Sequence, residues 1–338
     1  MDNSISFQNT FHQHGYTATG PGHFAIGSGM YPGPAGVLGN SYFDRDLGKV
    51  VNCVEDPDAL PLGGEGKGRS FSRYSNKAVG DFLKDVYPKS KVISVAGKDR
   101  SAIMLAGNNP DLVLYYNNID RFITSDFYSD SLPSFIDNFN NKLNLQSYRD
   151  SLWTKIFPDS LYLKHSREDD FSGEIDWYHV QHDAINNKKT YSDEYEPTFP
   201  ISFDKNHDPG QELMGTPWFD KVLIDLSKMI ISEEEIGLDE NPDIFFIGLS
   251  AMDYIIHNYG PFSQEAMDYF IRLDIQLDEL FKHIDNEIGL ENVEFILTSD
   301  HGGLPLPEYL PRLNLSGGRI NRENLNEAFS WIDCLLYT

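Results

Sequence analysis

Cysteine is nearly missing from this chain: Cys53 and Cys334 are the whole complement of its 338 residues. They stand in no metal-ligand spacing, so a disulfide-stapled scaffold and a thiolate metal cluster are both excluded, and two free thiols are expected. Basic charge is scarce as well. With 27 Lys and Arg against 52 Asp and Glu, the formal net charge is −25. Nucleic acids and acidic membranes bind through clustered cations, so neither is a partner of such a chain. No run reaches the ~18 apolar residues of a membrane span. A charged segment followed by an apolar one is lacking at the N-terminus, so no signal peptide is expected in this chain. Repeats and low-complexity tracts are lacking too. The run GGEGKGRS at 63–70 suggests a phosphate loop, but Gly68 stands where that loop needs Ser or Thr after the lysine. An anionic ligand would therefore need local positive charge from metal ions or a few aimed side chains.

What is there is ample apolar material, 40% of residues. Three short runs read as buried parallel strands: KVISVA at 91–96, DIFFIGL at 243–249 and VEFILT at 293–298. Helical patterns lie before the first, over 76–87, and between the others, over 217–236 and 263–288, the last with Gly289 beyond its end. The alternation predicts an α/β fold, a mainly parallel sheet flanked by helices. One domain over 1–338 is expected, with the Asn-, Asp-, Ser- and Tyr-rich stretch 117–214 as an irregular cap inserted in it.

In open parallel sheets, ligands collect beyond the carboxyl ends of the strands. Two of the runs lead directly into carboxylate–imidazole pairs. Asp253 and His257, at i and i+4, share one face if a helix begins there. Asp300 and His301 are adjacent ahead of two glycines. Carboxylate oxygen with imidazole nitrogen is a donor set that suits Zn²⁺. The remaining run, KVISVA, leads into GKDR, where Lys98 and Arg100 share a face if the segment is extended. Near the N-terminus, Thr19 precedes Gly20-Pro21 at a helix start, where free N–H groups and the helix dipole favour a phosphoryl group. An ordinary threonine cap is the alternative. Asn40 adds an uncharged amide donor.

These segments, YTATGPGH with GNSYFD, GKDRSAIMLAG, FITSDFY, SAMDYIIHNYGPFSQE and LTSDHGG, resemble in content and order the alkaline phosphatase superfamily. Within it they are similar to the threonine-nucleophile branch of phosphate-irrepressible alkaline phosphatases and, more distantly, to nucleotide pyrophosphatase/phosphodiesterases. The resemblance implies an alkaline-phosphatase-like fold and a two-zinc site. It makes Thr19 the nucleophile, a metal ligand as well, and Asn40, Lys98 and Arg100 the phosphate contacts. Asp253 and His257 would bind one zinc, Asp300 and His301 the other. The implied reaction is hydrolysis of a small phosphomonoester through a phosphothreonine. A phosphodiesterase and a non-catalytic phosphate- or metal-binding chain are the alternatives. A periplasmic or secreted location follows from the same resemblance. The family's first-strand aspartate and last zinc histidine have no counterpart here, so a chain truncated at both ends is expected. Ile256 stands where the family usually has glycine, and His23 is expected to pack rather than bind metal.

Overall fold

The computed structural model describes residues 4–171, 173–174, 197–203, 208–318 and 329. Cys334 and much of the 117–214 stretch lie outside them. In chain order the first half runs α1 (Thr19–Ser28), β1 (Ser41–Asp44), β2 (Lys49–Asn52), β3 (Pro61–Leu62), α2 (Val79–Val86), β4 (Val92–Ala96), α3 (Asp99–Ala106), β5 (Leu112–Tyr116), β6 (Phe122–Ser125) and α4 (Ser134–Lys142). Then follow α5 (Leu145–Arg149), β7 (Leu152–Trp153), α6 (Asp159–His165), β8 (Ile201–Ser202), α7 (Pro209–Leu213), α8 (Pro217–Glu233), β9 (Ile244–Gly248), α9 (Ala251–Tyr259) and α10 (Gln264–Glu287). Two compact units result: residues 1–145, 217–251 and 273–302 form the first, and 146–216, 252–272 and 303–338 the second.

The first unit is built on a five-stranded sheet in the order β3-β6-β5-β4-β9. Strands β5, β4 and β9 are parallel, while β6 runs antiparallel to β5 and β3. Every residue of β4 and β5 is buried, which is why both read as unbroken apolar runs rather than alternating ones. The architecture is the α/β one expected, with a parallel centre and an antiparallel margin. Ala96 lies opposite Gly248, so the carboxyl ends of β4 and β9 are level. Beyond that end, Asp220 of α8 accepts hydrogen bonds from the N–H groups of Ser250 and Ala251, at 2.9 and 3.1 Å. A buried carboxylate thus satisfies two of the backbone donors that the start of α9 would leave orphaned.

Two expectations change. The run at 293–298 is not a strand: it pairs with no described strand, and Ile296 and Leu297 are 85% and 87% exposed. The sheet ends at β9, and the run forms no ladder with that free edge. The 117–214 stretch is less irregular than its composition suggests, since it holds β6, β7, β8, α4, α5, α6 and α7. These elements are too short to leave a period in the sequence.

The core of the first unit gathers Phe24, Phe71, Tyr74, Met104, Tyr115 and Cys53. Burial, helped by the charge of Asp99 and opposed by Arg100 and Arg69, pushes the Cys53 thiol up to about 12. In the second unit, Asp268 of α10 is fully buried and accepts from Trp153 Nε1 (2.6 Å), the Tyr162 hydroxyl (2.5 Å), Ile156 N (3.0 Å) and Arg272 Nε (2.6 Å). One carboxylate thereby ties α10 to β7 and α6 within that unit.

Asp268→Asn is expected to destabilise the second unit by about 3 kcal/mol, because buried donors lose an ionic acceptor; a urea titration checks this, and a midpoint unchanged from the parent chain refutes the role. Cys53 is expected to resist iodoacetamide at pH 8 until urea unfolds the chain, since the thiolate is the reactive form. Peptide mapping reads this out separately from Cys334, and rapid native labelling of Cys53 would contradict its burial.

Candidate active site

Helix α1 begins one residue earlier than a threonine cap at position 19 requires. Ala18, with extended backbone, is the N-cap, so Thr19 is the first helical residue and the capping alternative does not apply. Thr19 is only 3% exposed. The N–H of Gly20 donates to Asn40 Oδ1 at 2.7 Å; this commits the oxygen end of Asn40 to the backbone and turns its NH₂ into the end available to an anion. Pro21 has no N–H to lose in this first turn. Helix α1 approaches its neighbours unusually closely. A Cβ on Gly22 would lie 2.1 Å from the Asp300 carbonyl oxygen, and one on Gly27 would lie 2.3 Å from that of Met104 in α3.

Lys98 and Arg100 do not share an extended segment. Lys98 is the N-cap of α3 with extended backbone, and Arg100 lies within the first helical turn. The two cations therefore flank a helix N-terminus, where backbone donors add to their field. Lys98 is 6% exposed. Between them Asp99 is held by Arg69, Nε to Oδ2 2.7 Å, with Arg100 Nη1 3.5 Å from the other oxygen. Arg69, from the 63–70 run, is a neighbour of this helix start that the sequence does not reveal; nothing in its local pattern marks it, because Asp99 is reached only through the fold. Arg100 Nε and Arg69 Nη1 are buried with no partner among the described residues, so each guanidinium retains an unspent donor.

The first unit also carries Asp300 and His301. Burial raises the Asp300 carboxyl, but a hydrogen bond from His23 and the positive charges of His23, His301 and Lys98 outweigh it and hold the group at about 2. Asp300 Oδ1 accepts from His301 N at 3.1 Å. His301 Nδ1 lies 3.0 Å from the Gly302 carbonyl. A carbonyl only accepts, so Nδ1 carries a proton, and Nε2 is the ring nitrogen that a metal could take when the ring is neutral. That nitrogen is 3.5 Å from Asp300 Oδ2.

Asp253 and His257 belong to the second unit. Both lie on α9, one turn apart, with His257 Nε2 3.5 Å from Asp253 Oδ1. On the same helix Ile256 packs over Gly303, whose Cβ would come 2.4 Å from Ile256 Cδ1. Tetrahedral zinc with bonds of about 2.0–2.1 Å sets two donors about 3.3 Å apart, and the separation within each pair comes close to that edge. Among the described residues, no group of three or more His, Cys, Asp or Glu converges as a metal cage. Each pair thus fits zinc as two donors of a site, not as a full set.

The chain is 29% identical over 325 residues to alkaline phosphatase PhoV of Synechococcus elongatus, matching 95% of this chain and 56% of PhoV. It is 28% identical to alkaline phosphatase PafA of Elizabethkingia meningoseptica over 89% of this chain and 54% of that one. A crystal structure of wild-type PafA superposes with a TM-score of 0.81, covering 93% of this chain and 59% of the other. Another PafA structure is of a variant with one threonine, one asparagine, one lysine and one arginine replaced. The chain spans a little over half the length of these relatives. The family model for type I phosphodiesterase / nucleotide pyrophosphatase matches residues 1–316, and the chain belongs to that family.

Proposed function

We propose that the chain is the greater part of a zinc-dependent phosphomonoester hydrolase that works through a phosphothreonine at Thr19. The observation that carries this is the placement of α1 against the Asp300 loop: Thr19 is buried at the helix start, and in the same first turns Gly22 meets the Asp300 carbonyl and His23 the Asp300 carboxylate. The four residue types replaced together in the PafA variant support the assignment. They occur there with the same separation from threonine to asparagine as Thr19 has from Asn40, and with the same single residue between lysine and arginine.

In the first unit Thr19, Asp300 and His301 would hold zinc; in the second, Asp253 and His257 would supply two zinc donors. When bound, zinc lowers the pKa of an oxygen nucleophile and neutralises phosphoryl charge. The chain's own residues do the rest. Thr19 Oγ1 attacks phosphorus in line, the P–O bond to the alcohol breaks, and the phosphoryl group moves to Thr19. Water then breaks the new bond, giving inorganic phosphate and restoring the hydroxyl. Asn40 Nδ2, Lys98 and Arg100 donate to the non-bridging oxygens. A monoester carries one more negative charge there than a diester, so aimed cations favour the monoester, and the second reading, a phosphodiesterase, ranks below it. The substrate is a small phosphate ester, with the enzyme in the periplasm or secreted.

The test is zinc content together with turnover of 4-nitrophenyl phosphate and its bis ester by the 338-residue chain. Zinc binding at the two carboxylate–imidazole pairs is expected, weakened by their incomplete donor sets, with any turnover abolished in Thr19→Ala. Lys98→Ala or Arg100→Ala should cost the monoester roughly 10²–10³-fold, the loss typical of removing one transition-state donor, and the diester much less. Equal losses on both esters favour the phosphodiesterase. A chain that binds no zinc and turns over neither ester overturns the proposal in favour of a non-catalytic binding chain.

A further inference from the structure

His23 lies one turn after Thr19 on α1, on the side facing the Asp300 loop. Its Nδ1 is 2.9 Å from the Thr19 carbonyl oxygen and 3.1 Å from Asp300 Oδ2. Both partners only accept, the first being a carbonyl and the second a carboxylate. Nδ1 must therefore carry the proton and share it between them. The ring is mostly buried, so water competes poorly for that proton. Gly22 makes the arrangement possible, since its missing Cβ lets Asp300 O come in against the helix.

We propose that His23 is the positioning residue for Asp300: its Nδ1–H fastens the carboxylate to the helix that carries Thr19, so that nucleophile and metal ligand are set by one ring. This rests on the reading of Asp300 as a metal ligand. An Asp300 Oδ2 that accepts from His23 keeps a further lone pair for a cation on the side of His301 Nε2, 3.5 Å away. Without the hydrogen bond, the Asp300 side chain is free to rotate, and metal binding has to fix it. Ligand carboxylates in metal sites are commonly oriented in this way, and loss of the orienting partner typically lowers affinity about 10–100-fold. The packing role expected for His23 thus becomes a directional one.

The experiment is zinc affinity of the full 338-residue chain, measured by competition with a chromophoric chelator, for the parent and for His23→Leu, His23→Asn and Asp300→Asn. His23→Leu removes the donor and is expected to weaken zinc at one site by about 10–100-fold. His23→Asn places an amide N–H near the position of Nδ1 and is expected to recover most of that loss. Circular dichroism melting of each variant separates misfolding from a local effect. Parent-like affinity in His23→Leu overturns the proposal. Equal weakening in the Leu and Asn variants, with parent-like melting, also overturns it, because ring packing rather than the hydrogen bond would then matter. Unchanged zinc binding in Asp300→Asn instead removes the ligand reading itself, and the proposal with it.

Discussion

Contact between α1 and the backbone at Asp300 is the constraint on which the first unit's site depends. Helix and loop touch at a distance no side chain permits, since even one carbon on Gly22 would overlap the Asp300 carbonyl. The same helix meets Met104 of α3 through Gly27. The Thr19 turn, α3 and the Asp300–His301 loop are therefore gathered by a helix that has glycine at each point of close approach. Loss of helix propensity at these glycines, about 1 kcal/mol each relative to alanine, is offset by core packing of Phe24 against Phe71 and Tyr74.

Electrostatics follows from that gathering. A chain of net charge −25 repels phosphate at long range, yet screening limits that repulsion to about 8 Å at physiological salt. Inside that distance, local charge decides. Lys98 is nearly buried, Asp99 is engaged with Arg69 and so does not neutralise both of its neighbours, and two guanidinium donors stay unspent. The depressed Asp300 carboxyl belongs to the same field. It is ionised across the whole physiological range, as a metal ligand must be.

Much of this was legible in the sequence, and the failures have physical causes. Strand β4 is legible because a strand buried on both faces leaves an unbroken apolar run, β9 because its run is as apolar although it is only part-buried at the sheet margin, and α8 and α10 because long amphipathic helices leave a period. VEFILT has the same composition and forms no strand, since composition cannot say whether an apolar run docks on the sheet's free edge. Lys98 and Arg100 were marked as a pair for the wrong geometric reason: two residues apart suits an extended strand, but the backbone turns into α3 between them. The role of His23 was missed because its partner, Asp300, lies far along the chain, and Arg69 was missed for the same reason. Contacts formed by topology leave no local trace.

The most direct measurement is chemical rather than kinetic. The 338-residue chain, loaded with zinc, would be mixed with 4-nitrophenyl phosphate, quenched in acid within a turnover and digested, and the peptide containing Thr19 weighed. A phosphate adduct on Thr19, absent without substrate, is the expected result. Turnover of the ester with no adduct at any quench time, or an adduct on another residue, would contradict Thr19 as the nucleophile and with it the role given to α1.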